Sequence, residues 1–268
     1  MQYIIDVLKG ILIGICFTIP GFSGGTMAVL LGCYQKIIEF ISLAKAKIKE
    51  HWKFILCLVI GALVGMFAFS KVLTLAFANY PIATRFAFMG LVLGGLPFIF
   101  KQSEVKKVQP IHFVWFLLGL AVMVALYFVK APTNTIVAEL SVETFFTLLG
   151  SSILAAFVMV IPGISGSFTL LVLGQYETII NAISTLNILI LIPTAIGCLI
   201  GIIGGANLIK VLLKKYKTQT YLVILGLIIG SLLVLWPGFN FDLEGLIAVI
   251  LLVVGALASY FFSHIKAK

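Results

Sequence analysis

Residues 19–42 read IPGFSGGTMAVLLGCYQKIIEFIS and residues 161–184 read IPGISGSFTLLVLGQYETIINAIS; 12 of the 24 positions are identical without a gap. Shared apolar composition produces chance matches of Ile and Leu. It does not produce Pro20/Pro162, Gly21/Gly163, Ser23/Ser165, Gly24/Gly166, Gly32/Gly174 and Tyr34/Tyr176. After a six-residue shift the match resumes: Gly61 and Gly65 stand opposite Gly197 and Gly201, Tyr80 opposite Tyr216, and Gly90 and Gly94 opposite Gly226 and Gly230. Such self-similarity means two copies of one unit, here residues 1–132 and 133–268.

The unit is a membrane unit. Of the 268 residues 62% are hydrophobic and 10% charged, against about 25% charged in soluble domains. Apolar segments fall near 3–19, 26–43, 53–78, 84–100, 111–130, 143–161, 168–186, 188–210, 219–236 and 245–263. In lipid each must be helical, because the backbone has no other partner. Five segments per half is an odd number, so an odd number of crossings inverts the second half. The charges agree. Lys45, Lys47, Lys49 and Lys53, then Lys101, Lys106 and Lys107, then Lys210, Lys214, Lys215 and Lys217, then Lys266 and Lys268 mark alternate loops. The loops between them carry Glu139 and Glu143, no charge at 185–188, or Asp242 and Glu244. The positive-inside rule then puts both termini in the cytoplasm. Lys71 and Arg85 fit this least well, in an expected outer loop at 71–85.

Segment 3–19 spans about 26 Å at 1.5 Å per residue, short of the roughly 30 Å of bilayer hydrocarbon, and the motif turns carry no charge. The expected fold is all-α: a polytopic membrane protein of two inverted-topology repeats, each with one re-entrant helical hairpin and three transmembrane helices. The first apolar run lacks a small-x-small cleavage site and reads as retained. Cys16, Cys33, Cys57 and Cys198 sit singly in apolar runs, which suits packing rather than disulfides or metal. The net charge of +9 lies in short loops, where it sets topology and meets anionic lipid rather than nucleic acid. No cofactor is implied. The oligomeric state is open, a homo-oligomer included.

The repeated motif suggests an anion site. Pro20 and Pro162 end one helix, and Gly and Ser let the chain turn before the next begins. The first amides of that next helix lack intrahelical partners, and its dipole is positive there. Gly21, Ser23, Gly24, Gly25 and Thr26 in one copy, with Gly163, Ser165, Gly166 and Ser167 in the other, are therefore candidate phosphate ligands. Discontinuous helices of inverted repeats commonly carry the site of a secondary transporter. Arg85 is a candidate clamp, since its fork pairs bidentately with phosphate oxygens. Glu177 and Glu39, within or beside the helix after each motif, are candidate proton-coupling carboxylates. The pairs Gly61/Gly65, Gly90/Gly94 and Gly197/Gly201 have the G-x-x-x-G spacing of close helix packing. Gly-x-Ser-Gly also matches the nucleophile motif of intramembrane serine hydrolases, but these need a His base. His51 reads as a loop residue and His112 and His264 as helix-end residues. A transporter of a small soluble anion is the other alternative.

The paired motifs Pro20 to Thr26 and Pro162 to Ser167, each followed by Gly-x-Tyr (Gly32 to Tyr34, Gly174 to Tyr176), resemble the bacterial polyprenyl-phosphate transporter PopT family along essentially the whole chain. The resemblance implies a cytoplasmic-membrane protein, not an enzyme, with a polyprenyl phosphate lipid as its partner. It would return undecaprenyl phosphate from the outer to the inner leaflet for reuse in cell-wall synthesis. Tyr176-Glu177 in the second copy faces Tyr34-Gln35 in the first, so a mechanism with symmetric carboxylates is not supported.

Overall fold

The computed structural model describes residues 2–17, 23–42, 45–128, 141–239 and 241–265. Among them lie twelve helices and no strand: α1 (Gln2–Phe17), α2 (Gly24–Leu30), α3 (Tyr34–Ile41), α4 (Lys45–Asn79), α5 (Pro81–Gln102), α6 (Pro110–Phe128), α7 (Val142–Met159), α8 (Gly166–Val172), α9 (Tyr176–Ser184), α10 (Ile188–Lys215), α11 (Lys217–Leu235) and α12 (Leu243–Ile265). The order runs twice through one plan, a long helix, two short ones and three long ones.

The plan recurs down to single hydrogen bonds. Each pair of short helices meets at a left-handed glycine, Gly32 with φ +64° and Gly174 with φ +70°. The amides of Gly32 and Cys33 donate to the carbonyls of Val29 and Ala28 at 2.9 and 3.0 Å. Those of Gly174 and Gln175 donate to Leu171 and Leu170 at 3.0 and 2.9 Å. This is the pairing of a Schellman helix ending, which needs a residue tolerant of positive φ. The fourth and fifth helices of each half are joined by one tyrosine. The Tyr80 amide donates to Ala76 O at 2.8 Å and the Tyr216 amide to Leu212 O at 2.7 Å. The hydroxyls of Thr84 and Thr220 each return a 2.7 Å bond to the joining tyrosine's carbonyl.

Three sequence expectations change. Segments 26–43 and 168–186 are not single helices; the glycine ending breaks each into two pieces of seven to nine residues. The expected loop at 44–53 is the start of α4, and α10 continues to Lys215. Lys and Glu are good helix formers, and Lys214 and Lys215 in the last turn of α10 complement its dipole. The expected loop at 71–85 reduces to Tyr80, so Lys71 and Arg85 lie on helices. Most of the loop at 131–143, Gly21 and the C-terminal lysines fall outside the described residues.

Among the described residues six helices are long and apolar enough to cross a membrane: Ile48–Phe69 within α4, then α5, α6, α7, α10 and Leu243–Phe261 within α12. The number matches the expectation but the membership does not. Helix α7, expected as an arm of a re-entrant hairpin, is one of the six at 18 residues, with Ser141 capping its Thr144 amide. The apolar stretch of α11 is shorter, because its first turn is the polar run Lys217 to Thr220.

Long helices pair through glycine. Helix α1 packs on α4, and α7 on α10, each within one half; α5 packs on α12, and α6 on α11, across the halves. In the α1–α4 seam Gly10, Gly14, Gly61 and Gly65 lie so near the facing backbone that a Cβ would strike a carbonyl. Gly197 and Gly201 serve the α7–α10 seam, Gly90, Gly94 and Gly255 the α5–α12 seam, and Gly119 and Gly226 the α6–α11 seam. Such approach maximises van der Waals contact where lipid supplies no hydrophobic drive between helices. The main core, including Cys33, Val92, Ile99, Ala206 and Ile228, gathers around α2, α3, α5 and α11.

Candidate functional site

The two motif copies meet. The Gly163 amide donates to Thr26 Oγ1 at 2.9 Å in a buried contact between the halves. A Cβ on Gly25 would lie 3.6 Å from the Pro162 Cα and 3.6 Å from the Met159 carbonyl oxygen. The Tyr34 hydroxyl, at the end of the first copy's Gly-x-Tyr stretch, donates to Val160 O at 2.8 Å. Gly163, at φ +97°, lies against the Leu227 backbone of α11, where an added Cβ would come within 2.9 Å. A side chain there is excluded both by φ and by space. The sequence marked Tyr34 as repeated; its role as the tie to the second motif emerges only from the fold.

The serines differ between copies. Ser23 precedes α2 and Ser165 precedes α8, both extended, and neither hydroxyl caps its helix. Ser23 Oγ is buried and has no hydrogen-bond partner among the described residues. A buried hydroxyl left in that state costs free energy unless something else satisfies it. Ser165 Oγ and Ser167 Oγ sit 2.9 Å apart, Ser165 half-buried and Ser167 exposed. Thr169 Oγ1 donates to the Ser165 carbonyl at 3.0 Å. Gly24, Thr26 and Gly166 are buried and Gly25 half-buried. Helices α2 and α8 are seven residues each, so the helix dipole is a weaker contributor than the sequence suggests. The hydroxyls and turn amides form the polar surface here.

Arg85 is half-buried in the second turn of α5 and takes part in no hydrogen bond or ion pair among the described residues. Nearby, Glu244 Oε1 accepts from the amide of Ile82 at 3.0 Å and caps the α5 N-terminus from α12. No hydrogen bond joins Arg85 to the described residues of either motif. Glu177 is exposed in the first turn of α9. Glu39 holds α3 to α4: it accepts from Gln35 Nε2 at 3.2 Å and pairs with His51 Nε2 at 3.2 Å. His51 is therefore no loop residue. It lies in α4, 7% exposed, because the helix starts earlier than expected and turns it toward Glu39. His112 Nδ1 accepts from the Gln109 amide at 3.1 Å. Neither histidine hydrogen-bonds to Ser23, Ser165 or Ser167 among the described residues.

Two further buried polar side chains carry little sequence signal. Asp6 on α1 is 3% exposed, marked only as a lone acid in an apolar run. Ser152 Oγ on α7 is buried without a hydrogen-bond partner among the described residues, beside Gly197.

Residues 13–245 match the model of a family described as undecaprenyl phosphate translocase-like. A protein of Vibrio cholerae serotype O1 named polyprenyl-phosphate transporter is 29% identical, over 88% of this chain and 79% of that one. A protein of Staphylococcus aureus with the same name is 29% identical, over 98% of this chain and 97% of that one. No solved structure matches. The all-helical fold, six apolar helices of spanning length and a matched region that contains both motifs agree, and the chain belongs to the undecaprenyl phosphate translocase-like family.

Proposed function

We propose that this chain is a flippase that returns undecaprenyl phosphate from the outer to the inner leaflet of the bacterial cytoplasmic membrane. It works by alternating access between two inverted repeats, residues 1–132 and 133–268, with both termini in the cytoplasm. A polyprenyl phosphate suits this site. Its tail stays in lipid, and only the phosphate must cross the apolar core, where an uncompensated charge costs many kcal/mol. The observation that carries the reading is the Thr26–Gly163 bond, which joins the two motif copies beside a buried, unpartnered Ser23 hydroxyl.

The phosphate is held by Ser23, Ser165, Ser167 and the turn amides at Gly24, Gly25 and Gly166, with Thr26 and Gly163 framing them. Arg85, half-buried and unpaired, is the cation that meets the headgroup on its way. The hairpins are re-entrant. In support, α8 at seven residues and α9 at nine give about 10 and 14 Å at 1.5 Å per residue, too short to cross singly. Glu177 couples transport to protons; Glu39 is held by His51 and Gln35 and is the weaker candidate.

The test is the amount of undecaprenyl phosphate on the outer face of cells without a second recycling transporter. A headgroup-binding probe that cannot cross the membrane reads it. Depletion of this protein should raise the signal, wild type should restore it, and Ser23→Ala/Ser165→Ala should not. An unchanged signal on depletion would overturn the substrate and the direction together.

A further inference from the structure

The tie between the motif copies runs one way. Thr26 accepts from Gly163, but in the gap-free alignment Phe168 stands opposite Thr26, and phenylalanine has no oxygen to return the bond. Burial is just as lopsided. In α2 every residue except Gly25 is buried, while in α8 only Gly166 is. Helix α2 packs on α1, α3 and α5, whereas α8 packs chiefly on its own neighbours α7 and α9. Among the described residues the second motif meets the first half through two hydrogen bonds, Gly163 N to Thr26 Oγ1 and Tyr34 Oη to Val160 O, and through apolar packing, with Ile164 in a cluster that includes Met123 of α6 and Val160 in the main core. Within its own half it rests on α11, through Gly163 against Leu227.

We propose that Thr26 and Tyr34 are positioning residues that dock the second motif onto the first, and that undocking of the second motif alone is the gating movement. Helix α2 is built into the core and stays. The second motif is held at its turn, where the two bonds fix the position of a small apolar seat made by Val160 and Ile164. Because Phe168 cannot mirror Thr26, the two access states are unequal in energy, and the state described here, with the second motif docked, is favoured at rest. This rests on the transporter reading above for its meaning, but the docking itself does not depend on the substrate.

Amide hydrogen exchange of the full chain in phosphatidylethanolamine–phosphatidylglycerol nanodiscs, without polyprenyl phosphate, reads the docking directly. Thr26→Val keeps shape and loses the acceptor. It should raise exchange of the segment 160–166 by about three- to tenfold, the loss expected of one net hydrogen bond. Tyr34→Phe should act in the same direction, and Thr26→Ser should restore wild-type exchange. In the cell assay Thr26→Val should slow transport, with Thr26→Ser recovering it. Unchanged exchange in both Thr26→Val and Tyr34→Phe would overturn the docking. Faster exchange with undiminished transport would overturn its role as the gate. A wrong substrate shows differently: wild type itself would fail the transport assay while the exchange differences persisted.

Discussion

Replacing Gly197 by alanine tests whether close approach in the α7–α10 seam holds the second motif in place. A Cβ at Gly197 would lie 2.6 Å from Leu149 O, 2.8 Å from Ser152 Cβ and 3.2 Å from Ile153 N. These contacts are closer than unstrained atoms adopt, so the helices must part by roughly half an ångström, a shift in a packed seam of the kind that costs about 1–3 kcal/mol. Local relief is blocked, because one turn on Gly201 also meets α7, 2.9 Å from Ala156 Cβ. Gly150 is the control. It lies within α7 with nothing inside 4 Å of its Cβ direction, so alanine there should stabilise the helix by up to about 1 kcal/mol. The two substitutions should therefore differ by about 2–4 kcal/mol, equivalent to roughly thirtyfold or more in the folded population. Reversible unfolding in detergent, followed by tryptophan fluorescence, measures it. Since α7 leads into Val160 and Gly163, Gly197→Ala should also depress transport. Equal stability of the two variants would refute the inference from seam geometry.

Ser23→Ala should separate stability from function. Removing a buried hydroxyl with no partner should leave unfolding unchanged or raise stability by about 1 kcal/mol, while transport in the cell assay falls. Arg85→Lys keeps the charge but not the bidentate fork, so transport should drop at unaltered stability; Arg85→Gln should drop it further. Glu177 is exposed, and Glu177→Gln should lower transport without changing the unfolding midpoint. Glu39→Gln should do the reverse, weakening the fold by about 1 kcal/mol through loss of its charged bond to His51 and sparing transport.

The repeat was legible because Pro, Gly and Ser at fixed spacing owe nothing to apolar composition. The break at Gly32 was not legible. A glycine in an apolar run reads equally as a packing residue, and only the positive φ with its paired amide bonds distinguishes a helix ending. The start of α4 was hidden because lysines, His51 and Glu50 look like a solvated loop, although they favour a helix once Glu39 faces them. The partner of each glycine pair was beyond reach for another reason. Gly61/Gly65 and Gly90/Gly94 share one spacing, yet the first meets α1 in its own half and the second meets α12 in the other. Spacing records that two backbones come close, not whose they are. The asymmetry of the site follows the same logic: Phe168 opposite Thr26 was visible, but its consequence needed the Gly163 amide to be placed.

The exchange of α5 and α6 between halves bears on how the protein is made. Helix α5 finds its main partner in α12, and α6 in α11. A ribosome adding about 5–20 residues per second delivers those partners on the order of ten seconds later. During that interval the glycine faces of α5 and α6 wait in the bilayer without their own seams. The α1–α4 pair can close at once, since both helices belong to the first half. Assembly thus starts from a finished pair, and a chain halted after α6 would leave the glycine faces of α5 and α6 as two vacant seams.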